Sequence, residues 1–223
     1  MTDRYLLGRM ILLSFCAFLV LMGMASGVQA GSVHGSSLSS IVAEDQHLQI
    51  ASKAKQALIV TFPWFGEAPY SATRSILESK GVKVVLASLS VDPMPGYENK
   101  LTVKPDILLN QVHSAEYDAI VFIGSARYPG DNADAIRIAK EGVAEGKVLA
   151  SYSIGVSTLI KADVLNGKRV ARFSDFAVFL QKTGATMSTA TLEQDGRIIT
   201  ASPRSACEPF AEAIAAALTT GAN

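Results

Sequence analysis

The chain has 223 residues, of which 49% are hydrophobic and 18% are charged, and this is enough to build the core of one α/β domain. Its 20 basic residues balance 20 acidic ones and form no basic run, which excludes the electrostatic footprint of a nucleic-acid-binding protein. We therefore expect no nucleic-acid partner.

The amino-terminal segment has the pattern of an export signal. Two arginines precede an apolar run at 10–24, and Val28-Gln29-Ala30 supplies small residues at the two positions that signal peptidase reads. The pattern predicts a signal peptide over 1–30, cleavage after Ala30, and a periplasmic or secreted protein. The alternative is an uncleaved anchor, because residues 10–28 approach the length of a membrane span, and this would be the only contact with a membrane.

Residues 31–54 are rich in Ser, Gly, Gln and His, and their hydrophobic periodicity is weak. We expect a flexible leader here, ahead of a domain at 55–219. The chain has 2 cysteines, and only Cys207 lies beyond the apolar run, so no disulfide is expected within the domain. A free cysteine is usually a packing residue, and we interpret Cys207 in that way.

From Gln56 onward, apolar runs of strand length alternate with segments of helical periodicity. Strands are predicted over the runs QALIVTF, KVVLAS, DAIVFIGS and KVLASYS. Helices are predicted over SATRSILESKG, NADAIRIAKEGVAEGK and PFAEAIAAALTT, with Asp131 or Asn132 as the cap of the second. The pair Asp195-Gly196 inside TLEQDGRIITAS predicts a hairpin near the carboxyl terminus.

This alternation predicts a three-layer α/β/α sandwich with a mainly parallel sheet, which is the flavodoxin-like architecture. Ligands bind beyond the carboxyl ends of the strands in such sheets. The segments 63–70, 124–130 and 153–156 each follow a strand, so we expect them to form one crevice. Trp64 and Tyr70 lie in the first segment, where they are expected to wall a small-molecule pocket or to cover a dimer interface.

Two phrases, together with the order of the strands, resemble the ThiJ/PfpI superfamily. They are EYDAIVFIGSARYPGDNADAI and KVLASYSIGVSTLIKADVLNGKRV, and the resemblance extends from about residue 55 to residue 218. The second phrase follows, without gaps, the superfamily's strand ending in Ala-Ile-Cys-x-Gly, its helix, and its Ala-Gly-x-Leu-x-Gly-Arg. The superfamily includes the Parkinson-disease deglycase and bacterial stress proteases. The resemblance implies the class I glutamine amidotransferase-like fold.

The resemblance also implies a tight strand-to-helix elbow, with Ser153 at the position of the superfamily's nucleophilic cysteine. At such an elbow, the following helix amino terminus supplies backbone N–H groups that favour a thiolate or an oxyanion. Gly155 would permit the tight turn. The amides of Gly124-Ser125 and Ile154 would complete the anion site.

The side chains that the superfamily uses for catalysis are changed in this sequence. Ile154 occupies the position at which many members have histidine, and the acidic partner falls on Pro69 when no gap is opened. Glu67, two residues earlier, is the nearest substitute, although a loop carboxylate is more often solvated. A serine hydroxyl is a weak nucleophile without a base, so Glu67 would have to supply that base.

Other catalytic sites receive little support. The segment SYSIG nearly matches the Gly-x-Ser-x-Gly elbow of α/β-hydrolases, but no histidine follows Ser153, which excludes a triad in the usual order. The 3 histidines, at positions 34, 47 and 113, have no ligand spacing. We expect no metal and no cofactor.

The leading hypothesis is an exported protein that binds a small ligand or a partner in this crevice without cysteine chemistry. The first alternative is an enzyme in which Ser153 attacks a small carbonyl or amide substrate, with Glu67 as the base. The second is a structural or stress-protective homodimer, and a homo-oligomer is expected in general. The predicted ligand contacts are Gly124, Ser125, Ile154, Gly155, Trp64 and Tyr70.

Overall fold

The structure is a computed structural model that describes residues 54–203 and 205–220. The predicted signal peptide at 1–30, and all but the last residue of the predicted leader at 31–54, lie outside these residues. Within the described ranges, no helix has both the length and the apolar character needed to cross a membrane.

Seven strands form the central sheet: β1 (Gln56–Val60), β2 (Lys83–Ser88), β5 (Ile107–Leu108), β6 (Ala119–Ile123), β7 (Val148–Tyr152), β10 (Leu192–Asp195) and β11 (Ile198–Ala201). Their order across the sheet is β10-β11-β7-β6-β1-β2-β5. All neighbouring strands are parallel except β10 and β11, which form an antiparallel hairpin. Two small two-stranded sheets flank the central sheet, formed by β3 (Met94–Pro95) with β4 (Thr102–Val103) and by β8 (Arg169–Val170) with β9 (Thr186–Met187).

Helices cover both faces of the central sheet. They are α1 (Glu67–Ser79), α2 (Ala133–Ala144), α3 (Val156–Lys161), α4 (Ala177–Lys182) and α5 (Cys207–Thr219). The core on one face includes buried residues of α1 and α5, and the core on the other face includes buried residues of α2 and α3. The predicted α/β/α sandwich with a mainly parallel sheet is therefore confirmed.

Strand β1 shows why these residues form a central strand. Its residues 57–60 are fully buried, with Leu58 and Val60 in one core and Ala57 and Ile59 in the other. A strand covered by helices on both sides needs apolar side chains at every position, because successive side chains point to opposite faces. The continuous run ALIV meets that requirement.

The largest difference between a predicted and an observed element boundary lies at the start of the first helix. Helix α1 was expected to begin at Ser71, but it begins at Glu67, so the predicted loop at 63–70 ends four residues early. Pro69 lies in the first turn of this helix. The first N–H groups of a helix have no acceptor inside it, so a proline costs nothing there and does not mark a loop.

The predicted caps and hairpin are as the sequence indicates. Asn132 caps α2, because its side-chain oxygen accepts a hydrogen bond from the N–H of Ala135 at 3.0 Å. Asp195 pairs with Ile198 at the end of the β10–β11 hairpin, and Gly196 adopts the positive φ of 61° that the tight turn requires.

Asp118 ties together the amino ends of three central strands. Its carboxylate accepts hydrogen bonds from the N–H of Gln56 at 2.9 Å and from Lys55 Nζ at 3.0 Å. Its backbone N–H donates to the Gln56 carbonyl at 2.7 Å, and its carbonyl accepts from Val148 at 3.0 Å. Burial alone would raise the pKa of Asp118, but the bonds from Gln56 and Lys55 outweigh it and lower the pKa.

A carboxylate whose pKa is lower in the folded state stabilises the fold above its unfolded pKa, and this stabilisation is lost as the pH falls through the folded pKa. We predict that Asp118→Asn unfolds more easily than wild type at neutral pH, and that the difference shrinks below about pH 4, the unfolded pKa of aspartate. Urea unfolding across this pH range measures it, with Asp92→Asn in an exposed loop as the control. A difference independent of pH would contradict the assignment.

Candidate functional site

The elbow after β7 holds Ser153 in a strained conformation. Its φ is 57°, in the left-handed region, and the short 3-10 turn Ser153–Gly155 leads directly into α3. A residue with a Cβ loses about 1–2 kcal/mol in this region. Such strain is typical of functional positions, where the surrounding structure enforces it.

Two glycines allow the elbow to sit against the end of β6. A Cβ added to Gly155 would lie only 3.0 Å from the carbonyl carbon of Phe122. A Cβ added to Gly124 would lie 3.2 Å from the backbone nitrogen of Ile154 and 3.2 Å from the Tyr152 carbonyl oxygen. Glycine at these positions therefore lets the carboxyl ends of β6 and β7 approach each other closely.

A cavity of about 310 Å³, here called the crevice, lies in front of this elbow. The structure brings together all three segments that the sequence placed there, and adds a fourth, the loop between β3 and β4. The lining residues come from these segments: Trp64, Gly66, Glu67, Ala68, Pro69, Tyr97, Glu98, Gly124, Ser125, Ala126, Ser153 and Ile154.

Glu67 is held inside the protein rather than solvated. It is the first residue of α1, its exposure is only 9%, and its Oε1 accepts a hydrogen bond from the Lys100 N–H at 3.1 Å. A Cβ at Gly96 would overlap its side chain. The carboxylate therefore lies under the β3–β4 loop, and in the described part of the chain no hydrogen bond joins it to Ser153.

His113 is badly placed to act as a base for Ser153. His113 precedes Ser114, whose hydroxyl donates to Glu145 Oε1 at 2.9 Å. Glu145 lies between α2 and the start of β7, so His113 is at the amino edge of the sheet, and Ser153 is at the carboxyl edge.

Tyr152 is next to Ser153 in sequence, but it is engaged elsewhere. Its Oη donates to the Ser205 carbonyl at 2.6 Å and lies 3.6 Å from Cys207 Sγ. Burial, reinforced by the Cys207 contact, raises the pKa of Tyr152, so this phenol remains protonated at neutral pH.

Ser125 provides unused hydrogen-bonding groups in the crevice wall. Its neighbours are paired, since the Ala126 N–H donates to the Trp64 carbonyl at 2.9 Å and the Gly124 carbonyl accepts from Gly66 at 3.0 Å. Ser125 is 6% exposed, and within the described residues its Oγ has no partner and its N–H has no backbone acceptor. Buried polar groups normally have partners, and this Oγ has less than 1 Å² of accessible surface, so the Ser125 side chain would have to rotate to present it to a ligand.

A second cavity, of about 400 Å³, lies on the other side of Ser153 and Ile154. Its remaining lining residues were not found by sequence reasoning: Arg172, Phe173, Ser174, Asp175, Phe176, Thr191, Ser202 and Pro203. They follow β8 or flank the β10–β11 hairpin. Because β8 has only two residues, the sequence around it has no strand periodicity from which this cavity could be predicted.

Two predicted contact residues do not line the crevice. Tyr70 is 4% exposed within α1, where its ring packs edge-on against Phe65 and its Oη accepts from Arg74 at 3.1 Å. Gly155 is buried against Phe122. Tyr70 therefore belongs to the core and Gly155 to the support of the elbow, whereas Trp64, Gly124, Ser125 and Ile154 do line the crevice.

The described residues include no group of three His, Cys, Asp or Glu side chains close enough to hold a metal ion. The groups that the crevice wall presents are hydroxyls, backbone N–H groups and carboxylates.

Comparison with known proteins agrees with this geometry. The model of the DJ-1/PfpI family matches residues 55–217. The chain belongs to this family. The deglycase of Pyrococcus abyssi is 32% identical over 123 residues, which cover 54% of this chain and 73% of that protein. Protein dj-1beta of Drosophila melanogaster is 25% identical over 168 residues, which cover 73% of this chain and 88% of that protein.

Solved structures share the same fold at low sequence identity. The ThiJ/PfpI domain protein of Brachyspira murdochii is 24% identical, with a TM-score of 0.72 over 77% of this chain and 100% of that one. A two-domain protein of Anabaena variabilis, with DJ-1/ThiJ/PfpI-like and ferritin-like domains, gives a TM-score of 0.70 at 23% identity over 74% of this chain. The match spans 48% of that longer protein.

The backbone strain at Ser153 leads to a stability prediction. Ser153→Gly should be more stable than Ser153→Ala by about 1 kcal/mol, because glycine adopts a positive φ without steric cost. Ser157, inside α3, is the matched control, and there glycine should be less stable than alanine by about 1 kcal/mol. Thermal unfolding of the four variants measures both differences. If glycine were less stable than alanine at both positions, or more stable at both, the result would contradict a strained backbone at Ser153.

The backbone donors lead to a second prediction at the same residue. In Ser153→Cys, the new thiol should have a pKa below the ordinary value of about 8.5, because the elbow's N–H groups favour a thiolate. Adding Glu67→Gln should lower that pKa further, since a nearby carboxylate disfavours negative charge. Alkylation rates against pH, in a Cys207→Ser background, measure both. An unshifted or raised pKa would show that the elbow does not stabilise an anion.

Proposed function

We propose that this protein binds a small molecule in the crevice and that it does so without nucleophilic catalysis. One observation carries the proposal: the elbow keeps its strained backbone and free donors, while the Ser153 hydroxyl has no base within hydrogen-bond distance in the described residues. A serine needs such a base to become a nucleophile at neutral pH. Binding requires only the cavity and its donors.

The hydrogen-bond donors at Ser125 and Ile154 would bind an oxygen atom of the ligand. The N–H of Ser125 has no backbone acceptor in the described residues, and its hydroxyl is unpaired. Ile154 lies in the first turn after the elbow, where helix N–H groups lack intrahelical acceptors. Donors that converge on one cavity bind a carbonyl or carboxylate oxygen with little reorganisation.

The second candidate is a serine-dependent enzyme acting on a small carbonyl or amide substrate. It is favoured by the presence of Glu67 and Ser153 in the walls of the same crevice. Glu67 would have to leave the Lys100 N–H and take the Ser153 proton as the hydroxyl oxygen attacks the substrate carbon. The amides of Ser125 and Ile154 would stabilise the resulting oxyanion.

The proposal extends to location and assembly. We propose export through the segment 1–30, with a mature chain that starts at Gly31, and amino-terminal sequencing of the exported protein decides between cleavage and a retained anchor. We also propose that the chain forms a homo-oligomer, which sedimentation of the mature protein measures. A stress-protective role would rest on that assembly.

Activity assays distinguish binding from catalysis. Because one relative is named a deglycase, the test measures deglycase turnover, and glyoxalase and peptidase turnover beside it. We predict little turnover, and that Ser153→Ala and Glu67→Gln leave any residual rate unchanged. Robust turnover that both substitutions abolish, in variants that fold normally, would establish the enzyme instead, because residues that act as one unit lose activity together.

Ligand binding in the crevice can be measured by tryptophan fluorescence. The chain has 1 tryptophan, and Trp64 lines the crevice, so its fluorescence reports occupancy directly. The test titrates acetate, acetamide, choline and 3,3-dimethylbutan-1-ol, with calorimetry as the second measurement. We expect at least one probe to bind and to shift the emission. Failure of all four in both measurements would overturn the proposed small-molecule site.

A further inference from the structure

We propose that the crevice selects a ligand with a positively charged amino or quaternary ammonium group, held by Trp64, Tyr97 and Glu98. This inference rests on the proposed function and adds the chemical class of the ligand. It depends on three features of the crevice wall: two aromatic side chains on hydrogen-bonded backbone segments, lining charges that are all negative, and a buried Ser125 hydroxyl that is unpaired within the described residues.

Trp64 is fixed in an unfavourable conformation. Its φ of 66° is an outlier for a bulky side chain, and both of its backbone groups are engaged. Its N–H donates to the Pro95 carbonyl at 2.8 Å, and its carbonyl accepts from Ala126 at 2.9 Å. These two bonds fix the backbone of Trp64 between Pro95 in β3 and Ala126 in the loop after β6.

Tyr97 stands on the neighbouring segment. Phe65 and Gly96 form a parallel bridge, and the Tyr97 N–H donates to the Phe65 carbonyl at 2.8 Å, so the two segments run side by side. Tyr97 lines the crevice and is nevertheless 65% exposed, which leaves its ring available. The faces of Trp and Tyr rings carry negative potential and attract cations.

The charges of the crevice have one sign. Among its described lining residues, Glu67 and Glu98 are the charged ones, and no Lys, Arg or His is present. The cavity on the other side of Ser153 differs, because Arg172 and Asp175 balance there. Carboxylates beside a low-dielectric wall concentrate cations, so the crevice favours a positively charged ligand over an anion or a neutral molecule.

Glu98 is free to exchange its partner. It pairs with Lys100 Nζ at 2.7 Å, but the side chains are 50% and 77% exposed. Exposed ion pairs contribute little to stability, so a ligand cation at the crevice can replace the lysine at small cost. Glu67, in contrast, keeps its bond with the Lys100 N–H and acts through its charge.

Ser125 indicates what the rest of the ligand carries. Its buried hydroxyl is unpaired within the described residues, and the cavity volume of about 310 Å³ lies at the small end of known ligand sites. A rotation of the Ser125 side chain would let this hydroxyl bond to a hydroxyl, carbonyl or carboxylate oxygen a few bonds from the ammonium group. The ligand class is therefore a small amino or ammonium compound with one oxygen function.

The experiment compares choline with 3,3-dimethylbutan-1-ol, its uncharged isostere of the same shape. Choline should bind about tenfold more tightly, as expected for a cation on aromatic faces. Tyr97→Leu should remove about that factor for choline and leave the isostere unchanged, while Tyr97→Phe retains it. Glu98→Gln should weaken choline, and Glu212→Gln, which breaks the exposed pair with Lys80, is the matched control.

The outcomes separate this inference from the proposed function. Equal affinity for choline and its isostere, or preferential binding of acetate, overturns the cation preference and leaves the small-molecule site intact. Binding of choline that Tyr97→Leu does not weaken also overturns the inference. If none of the probes binds, the proposed function fails first. Circular dichroism of each variant verifies folding, which exposed Tyr97 and Glu98 are not needed to maintain.

Discussion

The close approach of the carboxyl ends of β6 and β7 is the constraint on which the crevice depends. Gly155 lies against the backbone of Phe122, and the Gly124 N–H donates to the Tyr152 carbonyl at 3.1 Å. Side chains at these two glycines would force the strand ends apart. Because the ends are so close, the chain must turn sharply after Tyr152, and Ser153 takes the left-handed conformation that such a turn requires.

The site therefore has a backbone part and a side-chain part with different origins. The donors at Ser125 and Ile154 follow from where the strands end, and any sequence that folds this way presents them. The fold does not determine which side chains occupy positions 64, 67, 97, 98 and 153. This is why family membership establishes the architecture here, whereas the chemistry has to be argued from the crevice itself.

The sequence predicts the backbone part well. Central strands are continuous apolar runs, and the carboxyl ends of parallel strands meet at one edge, so three of the four crevice segments could be located in advance. The fourth could not. Strands β3 and β4 have two residues each, too few for any periodicity, and the bond between Lys100 and Glu67 joins residues 33 positions apart. Neither the burial of Glu67 nor the position of Tyr97 has a local signal.

An uncharged serine at the elbow is compatible with the two carboxylates in the crevice wall. A thiolate at position 153 would add negative charge to a crevice that already contains Glu67 and Glu98, and these carboxylates would offset part of the stabilisation that the elbow's N–H groups give it. A hydroxyl stays neutral at physiological pH, so it leaves the negative potential to the carboxylates and the backbone donors to a ligand oxygen. Under the proposed function, the same crevice would hold an ammonium group beside Trp64 and Tyr97 and an oxygen beside the elbow's N–H groups, without forming a covalent bond to either.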